Sequence, residues 1–207
     1  MNEEKQIELE IRKANNRDNL VQIAELIYNT DEYIYPYWFV NIEKCKEELP
    51  QLLLEDKFFF NINNLYLAID KLSGKIAGVT CIVDKSTNLD YDYSELRNKN
   101  ERYKFTIDNY ITGLISEVKE ANFAYISNVC VSSNYRGKGI GKKMIAQIIE
   151  IYKNKYFKEI ALDVLAENPG AIRLYQNLGF EQSSDIFEGF NAPNKDKPEV
   201  FSMRSKI

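Results

Sequence analysis

Histidine is absent from the 207 residues of the chain. That excludes Ser/His/Asp and Cys/His nucleophilic arrangements and imidazole-ligated zinc, so proton transfer must run through carboxylates, tyrosines, lysines or water. Fourteen tyrosines are at hand. Cysteine is scarce: Cys45, Cys81 and Cys130 are odd in number and widely spaced, which fits reduced thiols rather than a disulfide framework or a metal site, and no metal is expected. No apolar run approaches the roughly 20 residues of a membrane span, and the charged residues 1–6 lead into no apolar stretch. The expectation is a soluble, cytoplasmic protein with no membrane partner.

Glycine is also sparse, nine in all, yet Gly137, Gly139 and Gly141 fall within five residues. The turn 135–143 follows a strand-like segment and opens a helix-like one, so it presents free backbone N–H groups and a positive dipole end to an anion. A diphosphate suits it. The spacing is not that of a Walker A loop, because Arg136 stands five before Gly141 and Lys142 is followed by Lys143. Nor is it a dinucleotide fingerprint, because Lys142 occupies the place of the third glycine after Gly137 and Gly139. What remains is Arg-x-x-Gly-x-Gly on Arg136, Gly139 and Gly141. Net charge is −4 overall, but the stretch 136–158 is strongly basic, with seven Lys and Arg against Glu150. It is too short, in too acidic a chain, for a nucleic-acid partner.

The rest reads as alternating strands and helices with 44% hydrophobic residues, enough for one substantial core, and a single domain over 1–207 is expected. Period-two alternation marks a strand at 7–11, and apolar spacing marks a helix at 19–28. A helical region follows at 42–56, with Pro50 a break or restart. Strands at 65–69 and 76–83 are joined by a hairpin-type turn, and 123–131 feeds the glycine turn. A helix with one apolar face follows (Ile140, Met144, Ile145, Ile148, Ile149, Tyr152), then a buried-looking strand at 160–165. The segment 168–180 is a short helix with both ends marked: Asn168 as N-cap, Pro169 at the first position, Gly179 past the end. Closing strands are expected at 181–190 and 200–203. An insertion at about 85–120 keeps helical spacing from Ile107 to Val118; it packs on the sheet edge or roofs a pocket. The segment 31–38, rich in carboxylates and aromatics, is a loop packed under the second helix or a border for a cationic amine.

Arg136-x-x-Gly139-x-Gly141 followed by Asn168-x-x-Ala171-x-x-Leu174-Tyr175-x-x-x-Gly179-Phe180 resembles the GNAT superfamily of N-acetyltransferases, in that family's order and separation. The resemblance implies an α/β fold with a mixed, mostly antiparallel central sheet flanked by helices. It implies acetyl-CoA as cosubstrate and an amine acceptor, small molecule or protein, in a monomer or homodimer. By the same resemblance the pantetheine arm lies along Val129, Cys130 and Val131, and the Val129 N–H polarises the thioester carbonyl. The diphosphate takes the backbone of Arg136, Gly137, Lys138, Gly139, Ile140, Gly141 and Lys142. Asn168 and Ala171 lie beside the CoA arm, and Tyr175 is the general acid. The chain departs from the clearest members where some carry a Glu: it has Tyr125. Deprotonation then uses water held by Tyr125, Ser127 or Asn128, or an acid such as Asp31, Glu32 or Glu117. Cys130, with no His to activate it, is not expected to be a nucleophile. The rival is a noncatalytic acyl-CoA-binding module.

Overall fold

The computed structural model describes residues 7–155, 157–193 and 196–207; the charged start of the chain, residues 1–6, lies outside the described residues. The chain begins with β1 (Leu9–Lys13) and α1 (Leu20–Tyr28). Asn19 caps α1 by accepting the Gln22 N–H at 3.0 Å. Next come α2 (Ile34–Phe39) and α3 (Ile42–Leu52), with Asn41 capping α3 at the Lys44 N–H. The hairpin strands β2 (Leu65–Asp70) and β3 (Ile76–Val83) turn at Gly74, whose φ of +69° is open to glycine at little cost. The insertion folds as α4 (Ser94–Lys99), α5 (Glu101–Thr106), a π-helical turn (Ile107–Ile111) and α6 (Thr112–Glu120). Then come β4 (Ala124–Val131), α7 (Ile140–Lys153), β5 (Glu159–Leu165) and α8 (Pro169–Gln176). The chain closes with β6 (Glu181–Gln182), β7 (Phe187–Glu188) and β8 (Glu199–Lys206).

These strands make one eight-stranded sheet in the order β1-β2-β3-β4-β5-β8-β6, with β7 also on β8. Every pairing is antiparallel except β4 with β5. Central strand β3 is buried along all eight residues because helices cover both faces. On one face α1, α2, α3 and the insertion pack in a core that includes Trp38, Phe39, Phe58, Phe59, Phe60 and Tyr103. Burying each such aromatic contributes about 1.5–3 kcal/mol. On the other face α7 and α8 bring Ile145, Ile148 and Tyr175 against Ile126, Ile160 and Leu162. Among the glycines the closest packing is at Gly78, where a Cβ would come within 2.8 Å of both the Cys130 carbonyl oxygen and Met144 Sδ.

The structure refines several sequence expectations. α3 runs through Pro50 and stops at Leu52, short of residue 56. The aromatic segment after Asp31 is not a loop: Asp31 Oδ1 accepts the N–H groups of Tyr33 and Ile34, both at 2.7 Å, and starts α2. Residues 181–190 form two two-residue strands, and the closing strand extends over Glu199–Lys206. In the insertion, Ile107, Ile111, Leu114 and Val118 are buried in the core, while Tyr110, Gly113 and Glu117 line a cavity. Among the described residues no helix is long and apolar enough to cross a membrane. Cys45, Cys81 and Cys130 are buried and form no disulfide.

Candidate active site

The site begins with a fork in the sheet. β4 and β5 are paired only from Ala124↔Ile160 to Ile126↔Leu162, and beyond that point they part. Just past the fork β4 carries a bulge, because Cys81 pairs with Asn128 while Ile82 pairs with Ile126, which leaves Ser127 extra. The extra residue reverses the alternation of side chains. Tyr125 and Cys130 therefore lie on the same face, in the core of α1 and α2, although five residues apart.

Beyond the bulge the backbone direction follows from two hydrogen bonds. The Ser132 N–H donates to the Ala77 carbonyl of β3 (2.9 Å), and the Val131 carbonyl accepts from Arg136 Nε (3.2 Å). Since successive residues of a strand turn their polar groups to opposite edges, Val129 and Val131 direct theirs into the fork and Cys130 directs its own to β3. Of the three strand residues expected to meet the pantetheine arm, two thus offer backbone groups to the gap. Cys130 contributes neither backbone nor a reactive thiol, since burial pushes its pKa up and it is 5% exposed.

At the end of β4 the glycine turn has the geometry its sequence implies. Gly137 and Gly139 hold φ of +75° and +72°, a region that costs other residues about 1–2 kcal/mol. Gly139 is the N-cap of α7 and brings no capping side chain. The Lys143 N–H is the donor that bonds back to the Gly139 carbonyl (3.1 Å). The N–H groups of Ile140, Gly141 and Lys142 precede it and have no acceptor within the helix. An anion placed there meets these donors and the positive end of a 14-residue helix. The side chains contribute less: Arg136 is tied to the Val131 carbonyl, and Lys138 Nζ donates to the Asn134 carbonyl at 3.1 Å. Gly141 has no positive φ, and a Cβ there would touch Leu174 and Val131 only at ordinary contact distances. These donors, and the open edge of β4, suit the phosphates and amide-bearing arm of a CoA thioester.

A cavity of about 580 Å³ fills the fork. From α8 come Asn168, Ala171 and Tyr175. Asn168 Oδ1 accepts the Ala171 N–H (3.0 Å), so the residue caps α8 at the cavity wall. Tyr175 is 8% exposed and packs on Phe180. Burial pushes its pKa up to about 12, and among the described residues its hydroxyl makes no hydrogen bond. Opposite stands Tyr125, whose hydroxyl donates to Asp163 Oδ2 (3.0 Å). Burial, with Asp163 adding to it, pushes this phenol well above its usual value. Tyr125 therefore keeps its proton and holds a carboxylate; toward water it has only acceptor capacity left.

Asp163 was missed by sequence reasoning, although it is the one charged residue inside the apolar run from Ile160 to Leu165 and that contrast was the available signal. It stands on β5 one residue past the last β4 pair and also accepts from Ser202 Oγ (2.6 Å). Asn128 is similarly wired: its side-chain amide donates to Thr30 Oγ1 and to the Tyr35 hydroxyl, both at 2.7 Å, and its oxygen accepts from Ser127 Oγ at 2.9 Å. Of the other carboxylates weighed from sequence, Glu117 and Asp31 line the cavity and Glu32 does not. Burial, with Asp163 adding to it, pushes the Glu117 carboxyl up from its ordinary range.

Residues 27–180 match the model of the Acetyltransferase (GNAT) family, well over half of the chain. The chain belongs to this family. Among curated proteins, it is 38% identical over 72 residues to an uncharacterized N-acetyltransferase of Methanocaldococcus jannaschii, covering 35% of this chain and 32% of that protein. It is 36% identical over 63 residues to N-alpha-acetyltransferase 30 of Saccharomyces cerevisiae, covering 30% of this chain and 36% of that one. It is 36% identical over 81 residues to the spermine/spermidine N(1)-acetyltransferase of Bacillus subtilis, covering 36% and 51%. The chain thus spans between about a third and a half of the length of these relatives. Among solved structures, an N-acetyltransferase from Staphylococcus aureus Mu50 aligns with a TM-score of 0.63 at 17% identity, covering 94% of this chain and 99% of that one. A chain of the NatC complex bound to Gag peptide and CoA aligns at 0.59 and 20%, covering 97% and 99%. These likenesses show the GNAT fold: a mixed, mostly antiparallel sheet flanked by helices.

Proposed function

We propose that the protein is an N-acetyltransferase that moves the acetyl group of acetyl-CoA to a primary amine by direct attack in a ternary complex. The observation that carries this reading is the fork itself. Backbone donors of β4, a buried phenol with no partner among the described residues and a hydrogen-bonded carboxylate face one cavity, and a glycine turn with free N–H donors lies past the end of the same strand. Bound acetyl-CoA supplies a thioester, an acyl group already activated toward amines. The N–H groups of Ile140, Gly141 and Lys142 anchor the diphosphate, and those of Val129 and Val131 align the arm. The Val129 N–H hydrogen-bonds the carbonyl oxygen where negative charge develops.

Asp163, held by Tyr125 and Ser202, draws the proton from the acceptor ammonium, directly or through one water, so that the neutral nitrogen attacks. The C–N bond forms, the C–S bond breaks as Tyr175 passes its proton to the departing thiolate, and the second proton of the attacking nitrogen, which the amide no longer holds, passes through water to restore the phenol. A phenol at about 12 stays protonated while alkyl amines, with pKa ~10.4, lose their protons, so acid and nucleophile coexist at one pH. Acetyl-CoA should raise the melting temperature where ATP and NAD do not, and CoA thiol should appear only when an amine is added. Stabilisation by acetyl-CoA without thiol release on any amine of a broad panel would make the protein a binding module instead.

A further inference from the structure

Among the described residues four tyrosines line the fork cavity, and their hydroxyls are not equally free. Tyr35 accepts from the Asn128 amide, and Tyr125 donates to Asp163. Tyr175, the proposed acid, and Tyr110 make no hydrogen bond among the described residues. Tyr110 comes from the insertion, where the π-helical turn and α6 divide their faces: Ile107, Ile111 and Leu114 enter the core, while Tyr110 and Gly113 stand in the cavity wall. Edge-on contact with Phe190, ring centroids 5.8 Å apart at 74°, holds the Tyr110 ring. Its hydroxyl shares the space of the Tyr125–Asp163 pair. Burial, with Asp31 and Asp163 adding to it, pushes this phenol well above its ordinary value, and Tyr110 adds in turn to the rise at Tyr125. Tyr110 therefore stays protonated, with both donor and acceptor capacity unspent. Beside it Gly113 weakens the helix it sits in, and a Cβ there would meet nothing within 4 Å, so the wall next to the phenol has room for a ligand.

The attacking nitrogen must aim its lone pair at the thioester carbon, and one hydrogen bond does not fix that direction. A primary amine that has given its ammonium proton to Asp163 has two N–H bonds left. One is lost through water once the C–N bond has formed, and the other survives in the amide. We propose that the Tyr110 oxygen accepts the surviving N–H, so that the nitrogen is held from the insertion by Tyr110 and from β5 by Asp163, with its lone pair toward the thioester. Tyr110 exchanges no proton in the reaction and remains a phenol throughout. A secondary amine, once neutral, has a single N–H and must lose it on forming the amide, so it has none to leave on Tyr110. A hydrogen-bonding site discriminates against the analogue that lacks the bond, and Tyr110 thereby makes this a site for primary amines. The inference rests on the transfer reading above.

The test removes one oxygen. Tyr110→Phe keeps the ring and its contact with Phe190, and thiol release from acetyl-CoA is measured with a panel of primary amines that includes n-butylamine, benzylamine and glycinamide, each beside its N-methyl derivative. For every primary amine that wild type turns over, Tyr110→Phe should lower kcat/KM at least about tenfold while the rate with the N-methyl derivative stays within about twofold. CoA affinity and melting temperature should hold. Equal losses for a primary amine and its N-methyl derivative would make Tyr110 a packing residue, and undiminished turnover of primary amines would give it no part in the reaction. Either result overturns the inference and leaves the transfer reading standing. Thiol release by wild type with none of the amines would instead sink the transfer reading, and this inference with it.

Discussion

The two walls of the cavity are built from different materials. One wall includes the Val129 edge and the capped start of α8, and its main chain continues, beyond the cavity, into two glycines at positive φ and the first turn of α7. The other wall is collected from distant segments and works through side chains: Asp31 before α2, Tyr110 and Glu117 from the insertion, Asp163 on β5 and Glu188 on β7. Main-chain geometry is dictated by a few residue types at fixed spacing, whereas a side-chain wall can be rebuilt position by position without disturbing the sheet. A constant donor and a changeable acceptor follow from that division.

The sharpest break to the comparison is at Tyr175, the proposed acid on α8. Tyr175→Phe should lower kcat by about 10²- to 10⁴-fold in a thiol-release assay while acetyl-CoA affinity changes less than about twofold. Undiminished turnover would take the acid role away from it. Next in size is Gly139→Val. A β-branched residue at φ +72° costs about 1–2 kcal/mol and swings the free donors of α7 out of line, so acetyl-CoA should bind at least about tenfold more weakly by calorimetry. Smaller again is Gly78→Ala, whose Cβ would meet the Cys130 carbonyl oxygen at 2.8 Å. It should cost about 1–3 kcal/mol in denaturant unfolding through the packing of β3 on β4.

The smallest effect concerns pH. Burial raises the Tyr175 phenol from 10.0 in the unfolded chain to about 12. A raised folded value means that the stability from this group is complete below pH 10.0 and is lost as pH rises toward about 12. Wild type should therefore lose stability relative to Tyr175→Phe across that window and not below it, as read from unfolding midpoints.

The same division explains what was legible in the sequence. Gly137, Gly139, Asn168, Pro169 and Gly179 announce their geometry locally, through φ, capping and helix-end preferences, so the glycine turn, α7 and α8 could be drawn from spacing alone. The resemblance of those motifs to the GNAT superfamily extended the reading to β4. The bulge at Ser127 could not be read, because it exists only in the pairing of β4 with β3 and no residue type marks it. That bulge decides that Asn128 reaches Thr30 and Tyr35 and that Cys130 is packed away. Asp163 escaped for a similar reason, since its partner Tyr125 lies on a neighbouring strand far away in sequence. α2 was hidden because an Asp three residues ahead starts it and Pro36 sits inside its first turn.

The most direct test of the account is a product balance. Protein, acetyl-CoA and each amine of a broad panel are mixed and quenched over time, and CoA thiol, acetylated amine and protein mass are followed together by mass spectrometry. Direct attack in the fork predicts one acetylated amine for each CoA released, with the protein mass unchanged throughout and Tyr175→Phe releasing almost none. Accumulation of an acetylated protein before the amine product, or release of CoA with no acetylated amine, would contradict it.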